Sequence, residues 1–394
     1  MLITDKRKAL AIPAILRLGF RPFFLFGAGL AVLAVPLWIM ALYGGPIAEP
    51  QGGWLAWHRH EQTFGFAGAI IAGFLLTAVQ TWTGRPSLSG RPLAWLAALW
   101  LLGRLSWWLP SAWLLLVANV AFLLAVAVVM ARLLWAVRQR RNYPIVLVLA
   151  LLAAADLFSL FGVVFGHESW QRQGCLAAIW LVAAMMTVIG GRVIPFFTQR
   201  GLGRTEAVQP WVWLDMALLV GNVLMAVLTA AGLLLQPHWL GTILPLALGL
   251  GHGIRLYRWF DAGLLRVPLL WSLHLAYAWL VVACIALAAS QLGAALAFSQ
   301  ALHGLTIGAM GGLILAMLAR VSLGHTGRAL QLPRGFAIAF VALNLAALVR
   351  VFGVSFAYQP ALWLAALAWS LAFAQYLYCY GPMLCRPRVD GHPG

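Results

Sequence analysis

The sequence predicts an all-α polytopic membrane bundle of about twelve transmembrane helices with both termini in the cytoplasm. Three observations predict it. Of 394 residues, 63% are apolar and only 9% charged, with a mean hydropathy of +0.92; a soluble domain needs about 25% charged residues to keep its surface wet. Apolar runs of about 20 residues, long enough to cross a bilayer, recur along almost the whole chain. Basic residues collect in alternate connections, as the positive-inside rule requires.

The first span, 20–43, follows a cluster of Lys6, Arg7, Lys8, Arg17 and Arg21. It resembles a signal sequence, but the next polar break comes only after Tyr43 and no cleavage site follows, so it reads as an uncleaved helix. The second, 58–83, opens on Trp57-His58-Arg59-His60-Glu61 and is rich in glycine (Gly65, Gly68, Gly73). Further spans are expected at 91–109, 111–135, 143–166, 172–197, 210–233, 237–258 and 268–291. The tenth, 299–322, carries Gly308, Gly311 and Gly312, small residues of the kind that let helices pack closely in lipid. The last two are 335–356 and 359–381. This leaves one integral membrane domain over 1–394 with short cytoplasmic tails, 1–19 and 382–394. No sequence repeat relates the two halves.

The topology rests on charge. Of 26 basic residues, 22 fall in the N-terminal stretch, the even-numbered loops and the tail. A parse off by one span would destroy this asymmetry, which puts both termini inside. The net charge of +17 is therefore a matter of topology; no basic block interleaves with aromatics, and nucleic-acid binding is excluded as a function class. Cys175, Cys284, Cys379 and Cys385 form no CxxC pair and read as small apolar residues rather than a zinc site or disulfide framework.

The nine histidines sort into two layers. His58, His60, His167, His238 and His303 belong to the outer side. His252 and His274 sit about 9 and 12 Å above Arg258 and Arg266 on consecutive antiparallel helices, and so at nearly the same inner depth. His325 falls in the inner loop just past the tenth span, and His392 in the tail. Interfacial histidines can simply anchor helix ends. Eight of them against nine acidic residues in the whole chain instead suggests ligands, since neutral imidazole is the common donor to copper, haem iron and zinc.

His58 and His60 cannot share a face of a regular helix, because i and i+2 lie about 200° apart. Glu61 could orient a ligand histidine or deliver a proton; it also suits a helix N-terminus on dipole grounds alone. Arg104 and Arg350 lie within their spans, where an unpaired cation is costly. Asp156, Glu168 or the propionates of a haem are the candidate partners.

The stretch Leu18-Gly19-Phe20-Arg21-Pro22-Phe23-Phe24, the Trp57-His58-Arg59-His60-Glu61 cluster with Phe64-Gly65-Phe66, and Gly190-Gly191-Arg192-Val193-Ile194-Pro195 resemble the NnrS family. So do Leu273-His274-Leu275-Ala276-Tyr277, and His303 with Gly308 to Gly312, Ala319-Arg320-Val321 and Gly324-His325-Thr326-Gly327-Arg328. Gln62 stands where a methionine is expected. The resemblance implies a bacterial inner-membrane protein of about twelve spans that binds haem and copper and relieves nitric oxide stress in denitrifying metabolism. Residues in its motifs are His58, His60, Glu61, His252, His274, His303, His325, Arg192, Arg320 and Arg328.

On that basis the first reading is a redox membrane protein that binds or reduces nitric oxide at haem b or copper, with an electron donor as a further partner. His252 and His274, with His325 nearby, are the expected haem ligands, with Arg104 and Arg350 available to propionates. His58, His60 and His303 are the expected copper ligands, with Glu61 as proton donor. The competing assignment puts an outer histidine on iron and leaves the inner pair for copper or structure. From a different class, twelve spans with both ends inside also suit a secondary transporter for a metal or small metal complex. Against it, no pair of Gly- or Pro-broken helices carries matching charges at mid-membrane.

Overall fold

In the computed structural model, residues 6–45 and 48–392 are described; the extreme ends of the expected tails, 1–5 and 393–394, lie outside the described residues. Twelve long helical segments follow a short helix at Lys6–Ala11. They are α1 Phe20–Leu42, α2 Gly53–Thr83, α3 Arg91–Leu105, α4 Ala112–Ala136, α5 Tyr143–Val164 and α6 Glu168–Gly201. The remainder are α7 Val212–Ala230, α8 Trp239–Trp259, α9 Pro268–Gln291, α10 Phe298–His325, α11 Ala337–Ser355 and α12 Tyr358–Cys385. The described residues contain no strand.

Ten of these helices are long and apolar enough to cross a membrane. The other two are α3, whose 15 residues fall short of the roughly 20 a bilayer requires, and α8, which carries His252, Arg255 and Arg258. Two boundaries move in ways that matter for function. The second helix starts five residues early, because Gly52 at φ 72° turns the chain directly into it, so His58 and His60 are already helical. The tenth extends to His325, which ends a helix instead of lying in a loop.

Two helices change winding part-way. Glu61–Ala67 in α2 and Gly304–Gly311 in α10 are π-helical, the wider turn that accumulates at functional positions. Each begins directly after a histidine, His60 or His303.

The described residues form two compact units. One comprises the chain up to Ala178 with Leu318–Pro333 and Phe373 onwards; the other is Ile179–Met317 with Arg334–Ala372. In the first, α1 lies tightly on α2: a Cβ on Gly73 would stand 2.9 Å from that of Phe23, so only glycine admits the fully buried Phe20, Phe23 and Phe24 row. Trp57 and Trp107 join Ala34, Leu115 and Leu160 in one apolar cluster beside the α2 π-turn. In the second unit, α8 packs along α9, and α9 and α11 enclose the α10 π-turn. Gly308 is the contact point there, since a Cβ would meet the Trp279 indole at 2.4 Å.

Candidate functional site

Each unit contains a buried polar cluster centred on a histidine. In the first, the π-turn brings His60 and Glu61, adjacent in sequence, to one place. His60 is fully buried; its Nδ1 lies 3.1 Å from Glu61 Oε1 and its Nε2 2.7 Å from Asp156 Oδ1 on α5. Glu61 Oε1 also accepts from Trp107 Nε1 at 2.8 Å, and Oε2 lies 2.7 Å from Arg104 Nε, an ion pair by distance without the alignment of a hydrogen bond. Arg104 donates to Asn119 Oδ1 and lies over the Trp100 ring.

Two ring nitrogens facing two carboxylate oxygens require two protons between them: an imidazolium, or an imidazole beside one carboxylic acid. With Arg104 the charges can then balance, which buried ionic groups need. Asp156 Oδ2 has no hydrogen-bond partner among the described residues. Phe64 and Trp107 pack against the His60 ring and wall this group.

The second cluster forms where α6, α7, α8 and α9 meet. His252 is fully buried, its Nδ1 2.7 Å from the Tyr277 hydroxyl. Arg255, one turn on, donates to the same hydroxyl at 2.9 Å and to the Thr187 carbonyl at 3.1 Å, while its Nε lies 3.2 Å from Asp215 Oδ1. Its guanidinium packs on the Trp259 ring. Space for it comes from Gly191: a Cβ there would fall 1.6 Å from Arg255 Nη2. His252 Nε2 is buried with no hydrogen-bond partner among the described residues. The Tyr277 hydroxyl can accept from or donate to Nδ1; when Nδ1 donates, Nε2 carries the lone pair that a metal requires.

The remaining expected ligands are placed as follows. His58 is half-buried and stacks on Trp38 at 5.0 Å. His303 holds its Nδ1 2.6 Å from the Ser299 carbonyl, the arrangement that leaves Nε2 as the basic nitrogen. Beside it an apolar cavity of about 240 Å³ is lined by Trp279, Ala283, Ala301, Gly304 and Val351. His274 directs Nδ1 at the Leu270 carbonyl, 3.0 Å, and Nε2 at that of Trp259, 3.4 Å. His325 packs on Phe20 in the first unit, and its carbonyl accepts from Arg388. Arg350 donates to Ser299 Oγ at 3.1 Å.

The profile of the NnrS protein family matches residues 14–388, nearly the whole chain. The chain belongs to the NnrS family. Curated proteins give no match. NnrS membership and the apolar helices make it a multi-pass membrane protein and support a place in the nitric oxide response.

Haem and copper were implied by the NnrS resemblance, and the donor chemistry tests them residue by residue. Among the described residues no three or more His, Cys, Asp or Glu are grouped so as to hold a metal ion. His252 fits a single axial donor, because one nitrogen is buried and unsatisfied while the other is fixed by Tyr277. His274, as a second axial ligand, would have to turn one nitrogen away from a backbone carbonyl. His60, as a copper ligand, would have to give up Glu61 or Asp156. Arg104 has Glu61 as its partner, so it needs no propionate.

Sequence reasoning passed over Tyr277, Arg255 and Asp215, and had Asp156 only as a possible partner for an arginine. By sequence Arg255 is one more basic residue of the even-numbered loops. Its signal was spacing: His252 and Arg255 are three apart, as are His274 and Tyr277, and i, i+3 residues share a helix face.

Proposed function

We propose that this protein, in a bacterial inner membrane with both termini cytoplasmic, binds nitric oxide at a haem b or copper centre and removes it, by reduction or by sequestration. NnrS membership supports the nitric oxide part of this reading. The observation that carries the cofactor part is His252, whose Nε2 is buried and unpartnered among the described residues while Tyr277 steadies Nδ1. A polar ring nitrogen left unsatisfied in the interior costs about 1–3 kcal/mol, and a metal ligand bond removes that cost. A haem iron or copper bound there would supply the open coordination position that a small neutral gas requires.

The residues of the chain do the rest. Tyr277 orients the imidazole, and Arg255 holds Tyr277 and sets a positive charge beside it. His303, with Nδ1 on Ser299, offers Nε2 as a copper donor. Reducing nitric oxide consumes protons, and the His60, Glu61 and Asp156 group holds one where bulk water is scarce. Nitric oxide itself is small, apolar and soluble in lipid, so it needs no aqueous channel. Reduction draws its electrons from a separate donor.

An optical spectrum and metal analysis of the purified protein test the proposal. Haem bands or copper are expected in the wild type, and His252→Ala should lose or shift the haem spectrum. A colourless, metal-free wild-type preparation would overturn the reading in favour of a transporter.

A further inference from the structure

The Arg-rich end of the first unit contains a buried cation that no carboxylate of the described residues pairs with. Arg21, in the first turn of α1, is fully buried. Its Nη1 donates to the carbonyls of Leu384 and Arg386 at 2.8 and 2.7 Å, which fixes the plane of the guanidinium against the end of α12. The opposite edge, Nε and Nη2, has no hydrogen-bond partner among the described residues. That edge is the two-pronged fork with which arginine binds two oxygens of one anion.

The surroundings are positive. The cations acting on Arg21 are Arg17, Arg388 and Arg328; the one opposing side chain among the described residues is the Cys385 thiol, and no carboxylate of the described residues is among them. Arg17 is itself buried, and its Nη1 is a third unpartnered donor. Asp390 is committed to Arg388, which it meets at 2.9 Å. Arg21 also stands at the N-terminal end of a 23-residue helix, where the helix dipole disfavours a cation and favours an anion. A buried charge without a partner is costly enough that proteins avoid it.

We propose that this cluster is a binding site for a phosphate-type oxyanion, either inorganic phosphate or the phosphate of an anionic phospholipid headgroup, whose charge no choline offsets. A tetrahedral oxyanion offers two oxygens to the Arg21 fork and others to Arg17 Nη1 and Arg328, and its charge offsets an excess that one carboxylate would not. It bridges the start of α1 and the end of α12, so binding ties the first and last long helices of the chain together. The site is independent of the haem and copper reading.

The test uses the purified, delipidated full chain, read by thermal unfolding and native mass spectrometry. In detergent, phosphate replaces chloride at constant ionic strength; in parallel, nanodiscs of phosphatidylcholine are compared with nanodiscs containing phosphatidylglycerol. Stabilisation by phosphate in detergent identifies the free anion, and stabilisation only by phosphatidylglycerol, with a retained lipid adduct, identifies the headgroup. Arg21→Lys keeps the charge but loses the fork, and should weaken binding at least about tenfold, the effect of one charge-assisted hydrogen bond. Arg328→Gln, at a half-buried position, should weaken it in the same direction and serves if Arg21→Lys fails to fold. The proposal is overturned if neither phosphate nor phosphatidylglycerol stabilises the wild type, or if Arg328→Gln responds as the wild type does.

Discussion

Replacing Gly191 by alanine adds one methyl group in the middle of α6, a change that in an ordinary helix interior stabilises by about 1 kcal/mol. Here the expected sign is reversed. The new Cβ would fall 1.6 Å from Arg255 Nη2, and although that atom ends a long side chain, it is not loose. Nη2 donates to the Thr187 carbonyl, and the rest of the guanidinium is fixed by Nη1 on the Tyr277 hydroxyl, Nε beside Asp215 and the Trp259 ring. Moving the guanidinium aside loses two hydrogen bonds from a charged group, each about 1.5–3 kcal/mol. Set against the helical gain, the net loss is about 2–5 kcal/mol. With about 2.1 cal/mol/K of unfolding entropy per residue, a chain of this length should melt roughly 2–6 °C lower. Gly190→Ala is the control, because its Cβ would meet Ile194 and Tyr277 at 3.5 Å, an ordinary contact, and should leave the melting temperature unchanged or slightly raised. In an Arg255→Met background the penalty of Gly191→Ala should vanish. If Gly191→Ala melts with Gly190→Ala in the wild-type background, the guanidinium is not fixed against this backbone and the account of the second cluster fails.

Glu61→Gln removes the carboxylate that neutralises Arg104, so thermal unfolding should show a loss of about 3 kcal/mol; metal content should stay unchanged while protection against nitric oxide is lost in cells. Loss of metal with retained protection would reverse the role given to Glu61. A reporter fused to the C-terminus should be active only in its cytoplasmic form, since the basic residues follow that side, and periplasmic activity would refute the topology. Outside the spans, the Arg204 guanidinium and the Gly263 N–H hold the Asp261 carboxyl below the usual carboxylate range. A depressed acid stabilises the fold above its unfolded pKa of about 3.9, and that stability disappears as the pH falls through the folded value. Asp261→Asn should therefore melt below the wild type at pH 7, and the gap should close at pH values below about 4; a gap that persists in acid would show that the pair contributes nothing through charge.

The all-helical, multi-pass character of the chain follows from the sequence alone, because it depends on sums over long windows: runs of apolar residues long enough for a bilayer, and very few charges. Family membership was likewise legible, in local strings such as Trp57-His58-Arg59-His60-Glu61. The opposite fates of His58 and His60 could be anticipated too, since i and i+2 diverge on any helix, and the first is stacked on Trp38 while the second is buried among carboxylates. Tertiary structure decided which charge meets which. Asp156 pairs with His60, Arg104 with Glu61, and Arg255 lies against Gly191 on another helix. These partners are 96, 43 and 64 positions apart in the chain, and hydropathy assigns depth but not the rotation of a helix about its axis. The two π-turns were also invisible, because their residues are compatible with an ordinary helix. The same limit hid the unpartnered edge of Arg21, which by sequence was one basic residue among many on the cytoplasmic side and becomes distinct only once burial shows that nothing in the described chain answers its charge.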